Sequence, residues 1–282
     1  MPVGAIETEH VLSVLAPIWS KKPETASRLR GRIELVLSYA TARGWRDRNV
    51  LNPAIWRGHL QLVLPSKRKV RAVEHHAALP WQEAPAFTRA LRQREGFGVN
   101  ALMFAILTAT RSGEVRGARW NEVDLDGAVW TIPARRMKGR QPHRVPLPAP
   151  AVAILNEMAK LRDGSGLVFL GTKLNTPMSD MTLTAVLRRM GRGELTVHGF
   201  RSTFRDWAAE TTGYPNHVVE QALAHAIPSA VEAAYRRGDL FEKRKALMDD
   251  WATYLEKSPA QVVRPEFGRR RTAKNAVHEA MT

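Results

Sequence analysis

Residues 128–147 read AVWTIPARRMKGRQPHRVPL, and this stretch decides the architecture. Val129–Ile132 and His143–Leu147 are short runs rich in β-branched and apolar residues, and Met137-Lys138-Gly139-Arg140 between them has turn character. Two such runs around a glycine-bearing turn make an antiparallel hairpin. Outward from it the pattern becomes helical. Upstream, from Trp81, two helical stretches lead through NALMFAILTAT (100–110) into TATRSGEVRGARW (108–120). Downstream, from Ala149, the chain reads as mostly helical to Glu256, apart from a short apolar run at Leu167–Leu170. The expected fold is therefore mainly α with a small antiparallel β-sheet, an α+β domain.

Before Trp81 lies LPSKRKVRAVEHHAALP (64–80), which carries Lys67, Arg68, Lys69 and Arg71 with little apolar periodicity. It reads as a basic linker over 66–79, able to lie along phosphates, between a helical segment at 1–65 and a larger domain at 80–257. In the first segment Pro23-Glu24-Thr25 starts a helix, and Ile33, Val36, Leu37 and Ala40 give it an apolar stripe. Arg28, Arg30 and Arg32 lie close by, and Arg28 and Arg30 are candidate DNA contacts. Asn52-Pro53 breaks the chain before a second helical stretch containing Ile55, Trp56, Leu60 and Val63. Residues 258–282, with the cluster Arg269-Arg270-Arg271, read as a disordered basic tail.

Lys and Arg number 43 against 27 acidic residues in 282, a formal net charge of +16, and such a surplus calls for a polyanionic partner. An anionic membrane is the weaker candidate, because the most apolar run, Ala101–Leu107, is far shorter than the ~20 residues that span a bilayer. MPVGAIETEH has no basic stretch followed by an apolar core and so is not a secretory signal. The chain has no cysteine, which rules out disulfides and thiolate metal sites and fits a reducing cytoplasm. The composition describes a soluble, cytoplasmic, nucleic-acid-facing protein.

Several residues carry chemistry in combination rather than singly. Arg111 sits at a helix start with Glu114 three residues on, where the carboxylate reaches back to the guanidinium; alone, this is an ordinary i,i+3 ion pair. Lys138 sits in the hairpin turn, which can project an ammonium into a groove. In TVHGFRSTFRDWAAE (196–210), His198 and Arg201 share one face near a helix N-terminus, a position that favours an anion. His225 follows in QALAHAIPSA, and Tyr235 comes ten residues later beside Arg236 and Arg237.

The order Arg, hairpin Lys, His-x-x-Arg, His, Tyr resembles the catalytic signature of the tyrosine recombinase (phage integrase) family. So do the phrases TATRSGEVRGARW, RMKGRQPHRVPLP, TVHGFRSTFRDWA, HVVEQALAH and AAYRRGDLFEKR, which are similar to prophage and genomic-island integrases. The resemblance implies a transesterification at phosphorus. Arg111 and Arg201 would bind the non-bridging oxygens, with His225 adding a hydrogen bond. Tyr235 would be the nucleophile that forms a 3′-phosphotyrosyl link, His198 its proton acceptor, and Lys138 the acid for the departing 5′-hydroxyl. No cofactor is expected, in keeping with the absence of a GxxxxGK[ST] loop. The implied partners are attachment-site duplex DNA, a homotetramer of this chain on synapsed DNA with a monomer off it, and accessory bending or excision factors.

The resemblance also implies that Met1 falls inside a helical core-binding domain, with one helix and an arm-binding domain missing ahead of it. Two further readings stand beside the recombinase: strand relaxation of the type IB topoisomerase kind, and a DNA-binding remnant without chemistry. Leu240–Leu255 reads as an amphipathic helix with Phe241, Met248 and Leu255 every seven residues, packing either on its own domain or on a neighbouring subunit.

Overall fold

The computed structural model describes residues 1–66, 77–173, 175–225 and 238–257. Tyr235, most of the linker with Lys67, Arg68, Lys69 and Arg71, and the tail lie outside the described residues. The chain divides into two compact units, Met1–His75 and His76–Thr282, each with its own core.

In the first unit, helix α1 (Thr8–Trp19) places Val11, Leu15 and Trp19 four residues apart on one buried face. Helix α2 (Pro23–Ala42) begins with proline at its first position, where the missing N–H is no loss, and packs Ala26, Leu37 and Ala40 inward. Trp19 stacks on Trp56 with ring centroids 5.5 Å apart and donates Nε1–H to the Pro65 carbonyl at 2.9 Å. Of the expected stripe on α2, Val36 is 62% exposed, because it lies about 100° around the helix from Leu37, off the buried face. The second helical stretch expected after Pro53 is only a 3₁₀ turn at Leu60–Leu62. The Asn52 side chain explains this: it donates to the Glu34 carbonyl and Ser38 Oγ and accepts from Ala54 N–H, holding the chain in a turn. Arg46, nearly fully buried, ties the chain start to this turn by donating to the carbonyls of Val3, Gly4 and Ile6.

The second unit is mainly α with a small antiparallel sheet. Helices α3 (Ala84–Arg92), α4 (Phe97–Thr108) and α5 (Ser112–Arg116) lead to strands β1 (Val123–Asp124), β2 (Val129–Ile132) and β3 (His143–Pro146). Helices α6 (Ala149–Ala159), α7 (Thr182–Arg189), α8 (Gly199–Thr211), α9 (Asn216–Ala222) and α10 (Phe241–Glu256) complete it. The sheet has the order β1-β2-β3, with Trp130 opposite Val145 and Ile132 opposite His143. Trp130, Ile132 and Val145 face the core while Thr131 and Arg144 point out, as the two-residue period of a strand requires. The two-residue strand β1 was not evident in the sequence.

Helix α4 is apolar all round, with Ala101–Leu107 entirely buried, and α3, α5, α6, α7 and α10 pack on it. Helix α10 closes this same unit. Its Leu247, Met248, Trp251, Ala252 and Leu255 are buried in the unit's core, Trp251 Nε1–H donates to the Ile106 carbonyl at 2.9 Å, and Tyr254 Oη–H donates to the Trp81 carbonyl at 3.0 Å. Of the two packings open in the sequence, the helix takes its own domain.

Trp251→Ala would remove a ring in contact with Phe204, Trp207 and Tyr254 and the indole hydrogen bond to the Ile106 carbonyl. The expected loss in urea unfolding is about 3–5 kcal/mol. A loss below about 1 kcal/mol would mean that α10 lies outside the cooperative unit.

Candidate active site

Two helix ends build the site. Helix α4 stops at Ala109, which takes a left-handed conformation (φ 49°), and the chain turns at once into α5. Arg111 caps α5. Its backbone N–H donates to Glu114 Oε2 and its Nη1 to Glu114 Oε1, both at 2.8 Å. Glu114 is buried, so both oxygens of one carboxylate are spent on holding Arg111. Helix α9 ends at Ala222, and two residues later Ala224 is also left-handed (φ 49°), so that His225 leaves the helix axis.

Arg201, on the first turn of α8, joins these ends. It is 4% exposed; Nη1 donates to the Ala109 carbonyl and Nη2 to that of Leu223. Arg111 completes a reciprocal brace by donating Nη2–H to the Ala224 carbonyl at 3.2 Å. Each guanidinium thus sits on carbonyls that a helix terminus leaves unpaired, where the backbone dipole favours a cation. Burial, and after it the nearby Arg111, lower the Arg201 pKa to about 10, so the group remains charged at neutral pH. Its Nε has no hydrogen-bond partner among the described residues.

His225 Nε2 lies 3.2 Å from Arg201 Nη2, and His225 Nδ1 lies 2.6 Å from Glu220 Oε2. Glu220 and Arg205, which pairs with it at 2.6 Å, were not singled out in the sequence. Glu220 sits in HVVEQALAH, five residues before His225, and that spacing across a helix end is the signal that could have found it. His143 on β3 was also missed. It is buried, and burial, aided by Arg244, Arg111 and Arg201, lowers its pKa from 6.5 to about 4. A neutral imidazole therefore stands among three guanidinium groups.

The structure brings Arg111, Glu114, Arg201 and His225 together. His198 is exposed at the N-cap of α8, one turn before Arg201, and its carbonyl accepts from Arg201 N–H at 3.0 Å. Lys138 is exposed in the β2–β3 connection. That connection is fixed just before it, where Arg136 reaches both the Glu122 carboxylate and the Glu114 carbonyl and so ties the hairpin to α5. Of the candidate DNA contacts, Arg28 is exposed and paired with Glu24, whereas Arg30 is largely covered, donating to Glu34 and the Ala54 carbonyl. Start of α8 is set by Gly199, where a Cβ would lie 2.2 Å from the Ala77 carbonyl oxygen, so only glycine allows this approach.

Comparison with known proteins gives one answer throughout. Residues 81–240 match the Phage integrase family, and residues 1–59 match the Phage integrase central domain. Similar proteins include Prophage integrase IntZ of Escherichia coli (strain K12), 32% identical over 89% of this chain and 60% of its own length. Prophage integrase IntA of the same strain is 33% identical over 90% of this chain and 60% of its own length. The Integrase of Enterobacteria phage P4 is 31% identical, again over 90% and 60%. The chain thus spans about 60% of the length of these relatives. Among solved structures, a lambda integrase dimer bound to a COC′ core site superposes with a TM-score of 0.57 at 18% identity, covering 85% of this chain and 82% of that one. The Tn1549 transposon integrase in complex with circular intermediate DNA gives 0.58 at 14% identity, covering 88% and 86%. At those identities the likeness establishes the fold.

The lowered His143 pKa makes stability depend on pH. Between pH 6.5 and about 4 the unfolded chain takes a proton on this imidazole that the folded chain refuses. Its contribution is complete above pH 6.5, is lost as pH falls through this window, and is level below it. The full loss amounts to about 3 kcal/mol at 1.36 kcal/mol per pKa unit. Urea unfolding at pH 7.5 and 4.5 should give a smaller difference for His143→Leu than for the wild type. Equal differences would show that His143 titrates normally.

Proposed function

The chain belongs to the phage integrase family, and on that premise we propose that it is a site-specific DNA recombinase acting through a covalent 3′-phosphotyrosyl intermediate, in integration and excision of a prophage or genomic island. The single observation that carries this reading is the reciprocal brace of Arg111 and Arg201. Two guanidinium groups from separate helices converge, Arg201 held by two helix-end carbonyls and Arg111 by one together with Glu114, with His225 against Arg201. Their remaining donors suit a phosphate whose non-bridging oxygens gain charge in the transition state, and preorganisation means that none must reorient as that charge grows.

In this mechanism the Tyr235 oxygen attacks phosphorus, the new O–P bond forms as the P–O5′ bond breaks, and the 5′-oxygen departs. His198 takes the phenolic proton and Lys138 supplies one to the leaving oxygen. The link conserves the bond energy, so a 5′-hydroxyl can reverse the reaction without ATP. The hairpin anchor at Arg136 would let Lys138 enter the groove from a fixed base. Residues 1–65 would form part of the core-binding domain, 66–79 a linker laying Lys67, Arg68, Lys69 and Arg71 along phosphates, 80–257 the catalytic domain and 258–282 a basic tail. Arg28 would reach the backbone from α2, with Arg30 buttressing it. The partners are duplex DNA, other copies of this chain in a tetramer on synapsed sites, and accessory DNA-bending factors, in the cytoplasm at the nucleoid. Among the described residues no helix is long and apolar enough to cross a membrane.

Nicked suicide duplexes from the attachment region should yield a denaturation-resistant adduct with the wild type and none with Tyr235→Phe, at equal DNA affinity. Arg201→Ala should slow adduct formation by about 10²–10³-fold, the usual loss for one preorganised donor. Binding without an adduct in the wild type would favour a DNA-binding remnant, and plasmid relaxation without recombinants would favour a topoisomerase. Affinity should fall ~10³–10⁵-fold between 50 and 200 mM salt if 6–10 phosphates are contacted, and a flat response would rule out the electrostatic strap.

A further inference from the structure

The imidazole of His225 is held from both sides, and the two partners differ in kind. Arg201 Nη2, 3.2 Å from Nε2, can only donate a hydrogen bond. Glu220 Oε2, 2.6 Å from Nδ1, belongs to an ionised carboxylate that can only accept one. Although burial works against it, the bonds from His225 and Arg205 hold the Glu220 carboxyl below its ordinary range. The proton must therefore sit on Nδ1, leaving the lone pair on Nε2 for Arg201. An Nε2–H or an imidazolium would set two donors against each other at 3.2 Å. The His225 backbone N–H also donates to the Glu220 carbonyl at 3.0 Å, so one residue fixes both the main chain and the ring.

We infer that Glu220 is a positioning residue that locks His225 in the Nδ1-protonated tautomer and, through the ring, holds Arg201 Nη2 in place. The chain of contacts runs Arg205–Glu220–His225–Arg201, from an exposed arginine on α8 to a buried one on the same helix. It gives Arg201 Nη2 a second point of attachment beside the Leu223 carbonyl and makes His225 an acceptor toward Arg201 rather than a donor. The other charged groups around this chain are Arg111, whose Nη2 reaches the adjoining Ala224 carbonyl, and the Glu114 that holds it. Proton placement on the ring follows from the hydrogen-bond partners alone, whereas the catalytic consequence rests on the recombinase reading above.

Ring nitrogen spectra of the full chain labelled with ¹⁵N-histidine, with the His225 signals assigned by their loss in His225→Asn, read the tautomer directly. The wild type should show a protonated Nδ1 and a bare Nε2. Glu220→Ala should release the ring, which then turns away from Arg201 and takes the proton on Nε2 that a free imidazole prefers, while Arg205→Met, which spares the carboxylate, should leave it on Nδ1. If the carboxylate serves only an ion pair with Arg205, both variants will behave alike, and that outcome overturns the inference. A wild type protonated on Nε2 also overturns it, even where Glu220→Ala does not fold. In the adduct assay Glu220→Ala should lose about 10–100-fold in rate at unchanged DNA affinity, the scale seen when a carboxylate behind a working histidine is removed. An Nδ1 proton lost only in Glu220→Ala supports the inference even if the wild type forms no adduct, an outcome that would count against the recombinase reading alone.

Discussion

The buried guanidinium of Arg201 is the constraint on which the second unit's working end depends. A cation with 4% exposure is expensive to hide, and here the offset comes from backbone carbonyls instead of a carboxylate. Ala109 ends α4 and Leu223 ends α9, and both carbonyls would otherwise lack a partner. Arg111 also donates to a helix-end carbonyl, that of Ala224, and has the Glu114 carboxylate besides. The ends of two helices, more than a hundred residues apart in sequence, are thus fixed against each other by two guanidinium groups. Carbonyls supply only partial charge, so the positive character survives for a ligand. A direct carboxylate partner on Arg201 would have quenched it.

The carboxylates are kept off Arg201. Glu114 holds Arg111 from the flank that faces its own helix, and Glu220 makes no hydrogen bond to Arg201 but meets it through an imidazole and through space. His143 is neutral for a related reason: a charged ring there would face three guanidinium groups in a dehydrated place. The positive site and its neutral or indirectly coupled surroundings form one electrostatic design, in which each nearby titratable group either orients a cation or stays uncharged beside it.

How much of this could be read beforehand depends on whether the geometry was local. Arg111 with Glu114, and His198 with Arg201, are i,i+3 pairs, and a helix fixes their relation from sequence alone. The hairpin of Val129–Ile132 and His143–Pro146 was legible because strand propensity and turn chemistry agree there. Glu220 was not, since its tie to His225 runs across a helix end whose left-handed residue is an alanine, a residue that carries no turn signal. The same holds for Ala109. The expected helix after Pro53 failed because Asn52 captures the backbone through its side chain, a competition that apolar spacing does not register. In α10 the seven-residue pattern of Phe241, Met248 and Leu255 left open which partner it packed on. Met248 and Leu255 are used within the domain's own core, and Phe241 lies under Arg144 at 4.0 Å.

The reciprocal brace also bears on how the protein behaves in a test tube. Two guanidinium groups held this close repel each other, and after burial that proximity is what lowers the Arg201 pKa. A small oxyanion that bound there, and only in the folded chain, would relieve that repulsion and stabilise the fold by RT ln(1 + [L]/Kd). Buffers would then not be interchangeable for this protein: phosphate or sulfate would act as a folding ligand, and a melting temperature taken in either would rise with its concentration.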